Sequence, residues 1–273
     1  DLETLTGRRP VTLLGREWQF RPGAVGSRDW ERSRLAALYA LAQGDAPVVV
    51  ATADGLMART LPPETLRSLA ITLEVGGQAE LGALAEQLLS AGYTRCEQVE
   101  GVGQFALRGG ILDVFSPLMD QPVRCEFFDD EIDSMGAFDP GTQRRTRNVS
   151  SARILPAAEV LPQFAPGGYG GLLEGLDRLI SQAKRRKGSE TLVQTLEEDR
   201  ERLSASTAFP AMDRYIALIY PVMATAADYF PEDAVVVLSE SPRVAERGKS
   251  YLWQLGEDAK ALMERGELAG ELA

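Results

Sequence analysis

Apolar and polar positions follow two different rhythms along this chain, and the rhythm changes near residue 76. Before that point short apolar runs alternate with helical patterns. "REWQFRP" (16–22) reads as a short strand. Ser27 then caps a helix through Gln43, with Asp29 and Glu31 in its first turn and Gly44 just past its end. Trp30, Leu35, Leu38, Leu41 and Ala42 supply its apolar stripe. "APVVVAT" (46–52) is a continuous apolar run, the pattern of a strand buried on both faces of a parallel sheet. "DGLMARTL" reads as a short helix stopped by Pro62 and Pro63, and "SLAITLEVG" (68–76) as another strand. Strand–helix–strand order predicts a parallel α/β layer.

Residues 76 to 162 read differently. "QAELGALAEQLLSAG" is an amphipathic helix with Leu81, Leu84, Leu88 and Leu89 on one side and Gly92 as its stop. Strands are predicted at 94–100, 104–116, 122–128, 131–138 and about 152–155, with turns at "MDQP" and "DPGTQ". This is a small, mainly antiparallel module set into an α/β frame. Its strands carry charges where packing residues are expected: Arg108 and Asp113 around the twin glycines Gly109 and Gly110, then Arg124 and Glu126. The window holds thirteen acidic and seven basic residues, and all seven are arginine, the cation suited to planar, bidentate recognition of carboxylates.

Residues 163 to 273 begin with a loop, followed by helices over about 172–187 and 189–204. "DRYIALIYP" and "TAADYFPEDA" lead into "AVVVLSES" (234–241), which reads as a second buried strand, and an amphipathic helix runs from Pro242 to about Arg265. "KRRK" (184–187) is expected to be a solvated helix end facing the dipole, with a phosphate contact as the minority alternative.

Composition changes this picture in a few places. The net charge of −11 argues against a tight, sequence-independent grip on DNA, which needs concentrated Lys and Arg. The complete lack of histidine excludes Ser-His-Asp and Cys-His nucleophiles, histidine metal ligands and histidine general bases. Cys96 and Cys125 have no zinc spacing and read as reduced thiols in strands. No run of ~18 or more apolar residues is present, so no membrane-spanning helix is expected. The sequence starts at Asp1 without a Met, which suggests a fragment.

"AVVVLSES" invites comparison with an ATPase strand. Motor ATPases carry an Asp-Glu pair at the end of such a strand, but here Ser239 precedes Glu240, and a hydroxyl anchors the Mg²⁺ shell poorly. The sequence contains no G-x-x-x-x-G-K-[ST] loop to cradle phosphates. "FFDDEIDS" (127–134) lacks the spacing and central Gly of a calcium loop and reads as a charged turn between strands.

The stretch from Tyr93 to Leu161 carries a more specific signal. Its pattern is Y-x-R, then F-x-x-R-G-G-I-L-D-[IV]-F, then P-V-R-x-E-F-F-D-[DE]-E-[IV]-[DE]-S, then F-D-x-x-[TS]-Q-R, then L-P-A-x-E. It resembles the N-terminal module of the bacterial transcription-repair coupling factors (Mfd) and domain 2 of the excision-repair helicase UvrB. "VVVATADGLMARTLPP", "DRYIALIYP", "DYFPEDAVVVLSE" and "RGEL" extend the likeness over most of the chain. The resemblance implies a degenerate helicase-like, P-loop-derived parallel-sheet domain split into 1–75 (domain 1a) and 163–273 (domain 1b). Domain 2, an α+β and mainly antiparallel unit at 76–162, is inserted between them.

The resemblance also implies a role. Domain 2 of these families docks UvrA, the damage sensor. Matched residue by residue, Arg95, Arg108, Arg124 and Glu126 fall on the charged contact positions and Phe115 on the strand-end aromatic. Ala106 stands where UvrB has a further arginine, so that contact is missing. The expectation is a non-catalytic, cytoplasmic module with no cofactor or metal of its own. It recruits UvrA to stalled RNA polymerase within a parent that uses ATP and Mg²⁺ to move on double-stranded DNA. Two alternatives stay open: a piece of the UvrB helicase itself, and a generic α/β interaction module.

Overall fold

The computed structural model describes residues 2–7, 10–15, 29–43, 48–205, 210–222 and 224–273. The strand expected at 16–22, the cap at Ser27 and Gly44 lie outside them. The chain divides into two compact units, each assembled from separate segments: Asp1–Val11, Asp29–Val48 and Pro63–Glu159 form one, and Thr12–Arg28, Val49–Pro62 and Val160–Ala273 the other. The segment read as 1–75 therefore contributes to both units.

In the first unit, helix α1 (Asp29–Gln43) buries Leu35, Leu38 and Leu41. It also carries Arg34, whose Nε donates to Glu159 Oε1 at 2.9 Å with both side chains sealed from solvent. Glu31 accepts from the Glu159 backbone N–H at 2.8 Å. The glutamate that closes the L-P-A-x-E pattern is thus a buried structural partner of α1. The helix read over "DGLMARTL" ends at Met57, ahead of the two prolines, and Pro63 instead opens a helix at Pro63–Leu69, as its fixed φ and missing N–H allow at a first helical position.

Helix α2 (Leu81–Ser90) is capped by Glu80, whose carboxylate accepts from Gly82 N–H and Ala83 N–H at 2.8 Å each. It ends at Gly92, where φ is +84°. Gly92 N–H reaches Leu89 O and Tyr93 N–H reaches Leu88 O, both at 3.0 Å, the paired bonds of a Schellman stop. Leu84 and Leu88 of α2 pack into the main core of this unit.

That core lies under one face of a six-stranded sheet: β1 (Thr94–Arg95), β2 (Gln104–Arg108), β3 (Ile111–Val114), β4 (Val123–Phe128), β5 (Glu131–Phe138) and β6 (Arg145–Asn148). The strands lie in the order β6-β5-β4-β3-β2-β1, all antiparallel neighbours except the parallel β1–β2 pair. The run read as one strand at 104–116 is a hairpin that turns at Gly109, where φ is +59°. Asp129, at φ +51°, and Asp130 make the tight turn between β4 and β5 expected of the acidic run. β6, "RTRN", is wholly exposed and has no apolar rhythm, so pattern alone does not find it. Ser151–Ile154 pairs antiparallel with Ile71–Glu74, outside the main sheet.

The second unit holds helices α3 (Gly168–Arg185), α4 (Glu190–Ser204) and α5 (Ser241–Glu264). Two expectations change here. The 46–52 run, described from residue 48, gives a strand only at Val49–Ala51, and Val50 is 44% exposed. Residues 234–238 form no strand, and Val235 and Val237 are 88% and 84% exposed. Apolarity states what a run would bury; no described strand lies beside this one. Outside the six-stranded sheet, the described strands pair only in twos.

Candidate protein-docking site

Register decides which side chains share the face opposite the main core. Ala106, Asp113, Arg124 and Gly136 lie in one row across β2 to β5, and Arg108, Ile111, Glu126 and Ser134 in the next. Alternation puts Leu112, Val114, Val123 and Cys125 on the core side. The charges that look misplaced in the sequence therefore share one face.

Asp113 organises it. Its side chain is fully buried and accepts from two arginines. Arg124 grips it with both prongs, Nε to Oδ1 at 2.7 Å and Nη2 to Oδ2 at 2.8 Å. Arg108 Nη2 reaches Oδ2 at 2.7 Å. Such short, charge-assisted bonds satisfy a carboxylate that burial would otherwise penalise. The hydrogen bond to Asp113 is also the main force holding the Arg124 guanidinium above its usual value.

The two arginines are held differently. Arg124 stacks over Phe138 at 4.7 Å and donates to the Gln143 side chain at 3.3 Å, with its own side chain 21% exposed. Gln143 sits at φ +61° and donates onward to Pro140 O and Val99 O. Arg108 is 47% exposed and is fixed only through Nη2 among the described bonds. The first arginine is built into the sheet; the second is aimed by Asp113 with much of its fork still facing water.

A second polar group continues the row. Arg145 Nη2 donates to Glu126 Oε1 at 3.2 Å and to Ser134 Oγ at 3.1 Å, while Ser134 donates to Glu126 Oε2 at 2.8 Å. Gly136 makes this possible, because a side chain there would run into Arg145. Arg124 and Glu126, two apart on one strand, do not pair with each other: Arg124 turns to β3 and Glu126 to β6.

The remaining sequence candidates are placed as follows. Phe115 is 9% exposed and packs with Val99, Ala106 and Phe138 in a small cluster beneath the charged face. Arg95 is exposed but pairs in register with Phe105, whose side chain belongs to the main core, so it does not share the face of Arg108 and Arg124. Ser239 and Glu240 are exposed; Glu240 immediately precedes α5 at φ +53°, and its carboxylate pairs with Arg243 at 2.7 Å without capping the helix. No motif in the sequence marks Arg145, Ser134 or Gln143 as part of this face, and Asp113 stands out there only as a charge within a strand. The twin-glycine turn held the signal for Asp113: folding the hairpin there fixes the register and brings Asp113 beside Arg108.

Residues 71–160 match the family model described as the UvrB interaction domain, a span that contains the entire six-stranded sheet. Over its full length the chain is 31% identical to the transcription-repair-coupling factor of Bacillus subtilis (strain 168), covering 23% of that protein. Over its whole length the chain is thus similar to part of the proteins of the transcription-repair-coupling factor family, with the UvrB interaction domain inside the matched span. The family's factor from Staphylococcus aureus (strain MRSA252) is 33% identical over 80% of the chain and 19% of its own length. That from Myxococcus xanthus is 44% identical over 47% of the chain and 11% of its own length. The chain thus spans less than a quarter of these coupling factors. Among its described residues no helix is long and apolar enough to cross a membrane, and no group of three acidic or cysteine side chains is placed to hold a metal ion.

Proposed function

We propose that this chain is a non-catalytic docking module that recruits the damage sensor UvrA to RNA polymerase stalled on DNA during bacterial nucleotide excision repair. The supporting observation is the half-exposed Arg108, aimed by a buried Asp113, on the sheet that the UvrB interaction domain model spans. An arginine fork already oriented loses little freedom on meeting a partner carboxylate, and such contacts add specificity as well as affinity. Arg145, Glu126 and Ser134 extend the polar surface beside it. Arg124 and Phe115 support this surface from within, and Arg95 contributes from the sheet edge.

In this reading the surrounding α/β segments are a degenerate relative of a helicase core. Ser239 stands in place of a motor aspartate and the sequence lacks a phosphate loop. ATP, Mg²⁺ and the grip on double-stranded DNA then belong to other parts of a cytoplasmic parent translocase.

The test is titration of purified UvrA onto the immobilised chain. Arg108→Ala weakens binding by about 1–3 kcal/mol, with an unchanged circular dichroism spectrum. Equal affinity in Arg108→Ala and Glu126→Ala would remove the proposed surface. ATP turnover by the chain alone would contradict the non-catalytic part.

A further inference from the structure

The start of α4 has features that the docking role leaves unused. A cavity of about 310 Å³ opens beside it, lined by the end of α3 (Ala183, Lys184), by Arg186 and Ser189 of the connection, and by α4 itself. Ser189 is the residue before the helix, yet its φ of −107° and ψ of 19° depart from the extended cap conformation, and its hydroxyl caps nothing. The side chain is 2% exposed, and its Oγ has no hydrogen-bond partner among the described residues. A buried hydroxyl left unpaired on a cavity wall is a standing cost unless something in the cavity meets it. The first N–H groups of this fifteen-residue helix are likewise left without a side-chain cap.

These donors face one chemistry. Unpaired N–H groups at a helix start carry partial positive charge and suit an oxyanion. Arg186 is anchored from behind by Nη2 to Met263 O at 2.9 Å, which holds its guanidinium on the wall. Lys184 is engaged with Glu197 at 2.7 Å, and Glu190 stands in the first turn. Formal charges on the wall thus cancel, and attraction rests on directed donors more than on net charge. This favours a small oxyanion that accepts several hydrogen bonds and disfavours a polyanion bound by charge alone.

We propose that Ser189, the first turn of α4 and Arg186 form a binding site for a phosphate group, separate from the docking face. The group comes either as free phosphate or as a phosphodiester of DNA, and the two sources separate experimentally.

The experiment follows backbone amides of the folded chain by ¹H–¹⁵N NMR during titration with inorganic phosphate and, separately, with a short DNA duplex. Saturable shifts confined to residues 189–192 are expected. With phosphate they identify the free anion as sufficient; with the duplex alone they identify the DNA backbone as the source. Arg186→Gln is expected to weaken the saturating ligand about tenfold. Ser189→Ala supplies a readout that a purely structural serine would not give. The unliganded variant melts no lower than the parent, because only an unpaired hydroxyl is lost, while the rise in melting temperature caused by ligand shrinks. Absence of saturable shifts with both ligands, or equal affinity in both variants, overturns the proposal.

Discussion

Each unit encloses one aspartate among arginines, and the two sites are built to different ends. In the sheet, Asp113 is buried but its arginines are not: Arg108 is 47% and Arg124 21% exposed. In the helical unit, Asp199 of α4 accepts from Arg214 Nη1 at 3.0 Å and from the Tyr215 hydroxyl at 2.7 Å, and Arg214 is only 6% exposed. Arg202 adds a longer, half-exposed contact at 3.3 Å. The Asp199–Arg214 pair, sealed on both sides, serves the fold, and Arg202 reaches Asp199 only through a longer bond. A carboxylate sealed beneath arginines that still reach water fixes their direction while leaving donors for a partner. The two sites differ in the exposure of the arginines that bond the aspartate at 3.0 Å or less, since both aspartates are hidden.

The largest expected effect falls on the sealed site. Asp199→Ala strands Arg214, whose Nε and Nη2 already lack partners, and is expected to cost about 3–5 kcal/mol in urea unfolding. UvrA affinity of the fraction that folds should not change. The pH dependence carries its own sign. Desolvation by burial raises the Asp199 pKa above its ordinary value, against the pull of Tyr215 and Arg214. The native state therefore holds this proton to higher pH than the unfolded chain. The contribution of Asp199 to stability falls as pH rises from the ordinary aspartate value through the raised one. Asp199→Asn should flatten that part of the stability–pH curve; an unchanged slope would show that other groups produce it.

Asp113→Asn comes next. Its arginines can turn to water, so the loss should be smaller, about 2 kcal/mol after allowing for solvent screening. Unlike the first variant, it should also weaken UvrA binding, because Arg108 loses its aim. Arg124→Ala should resemble it, lowering stability and docking together. Arg108→Ala should change stability by less than about 1 kcal/mol while docking falls. If Arg108→Ala unfolds the sheet as readily as Arg124→Ala does, the distinction between aimed and built-in arginines fails.

The sequence reveals these two sites unequally. Helix ends are readable because their chemistry is local: Gly92 stops α2 as its backbone freedom predicts. The charged face is half readable. Period-two alternation puts Arg124 and Glu126 together on one strand face, but their partners come from other strands, and only register names Asp113 and Arg145. The pairing of Asp199 with Arg214 is invisible beforehand, since fifteen positions separate them and nothing in "DRYIALIYP" names Asp199 as the partner of its arginine. Residues 234–238 fail for the complementary reason. Four consecutive aliphatic residues specify a strand that wants burial, yet the neighbour that would bury it is not encoded in the run.

The smallest effect is a chemical report on whether the sheet holds its carboxylate closed. Cys125 lies on β4 between Arg124 and Glu126, but its side chain points to the core and is fully buried. Burial pushes its thiol up to about 12, so little thiolate is present at pH 8 and a maleimide or disulfide reagent must wait for the strand to open. Cys96 is also raised by desolvation, but it is partly exposed and should react first. In the parent chain the two thiols should therefore separate into a faster and a much slower phase. Asp113→Asn should accelerate the slow phase more than the fast one: both thiols lose a nearby negative charge, but loosening Arg124 also weakens β4 against β3 where Cys125 pairs with Leu112. Arg108→Ala should leave the slow phase as it was, since this arginine directs the surface outward and does not hold the strands together; only the fast phase loses its nearby positive charge. Acceleration of the slow phase by Arg108→Ala would mean that recognition and cohesion share one set of bonds.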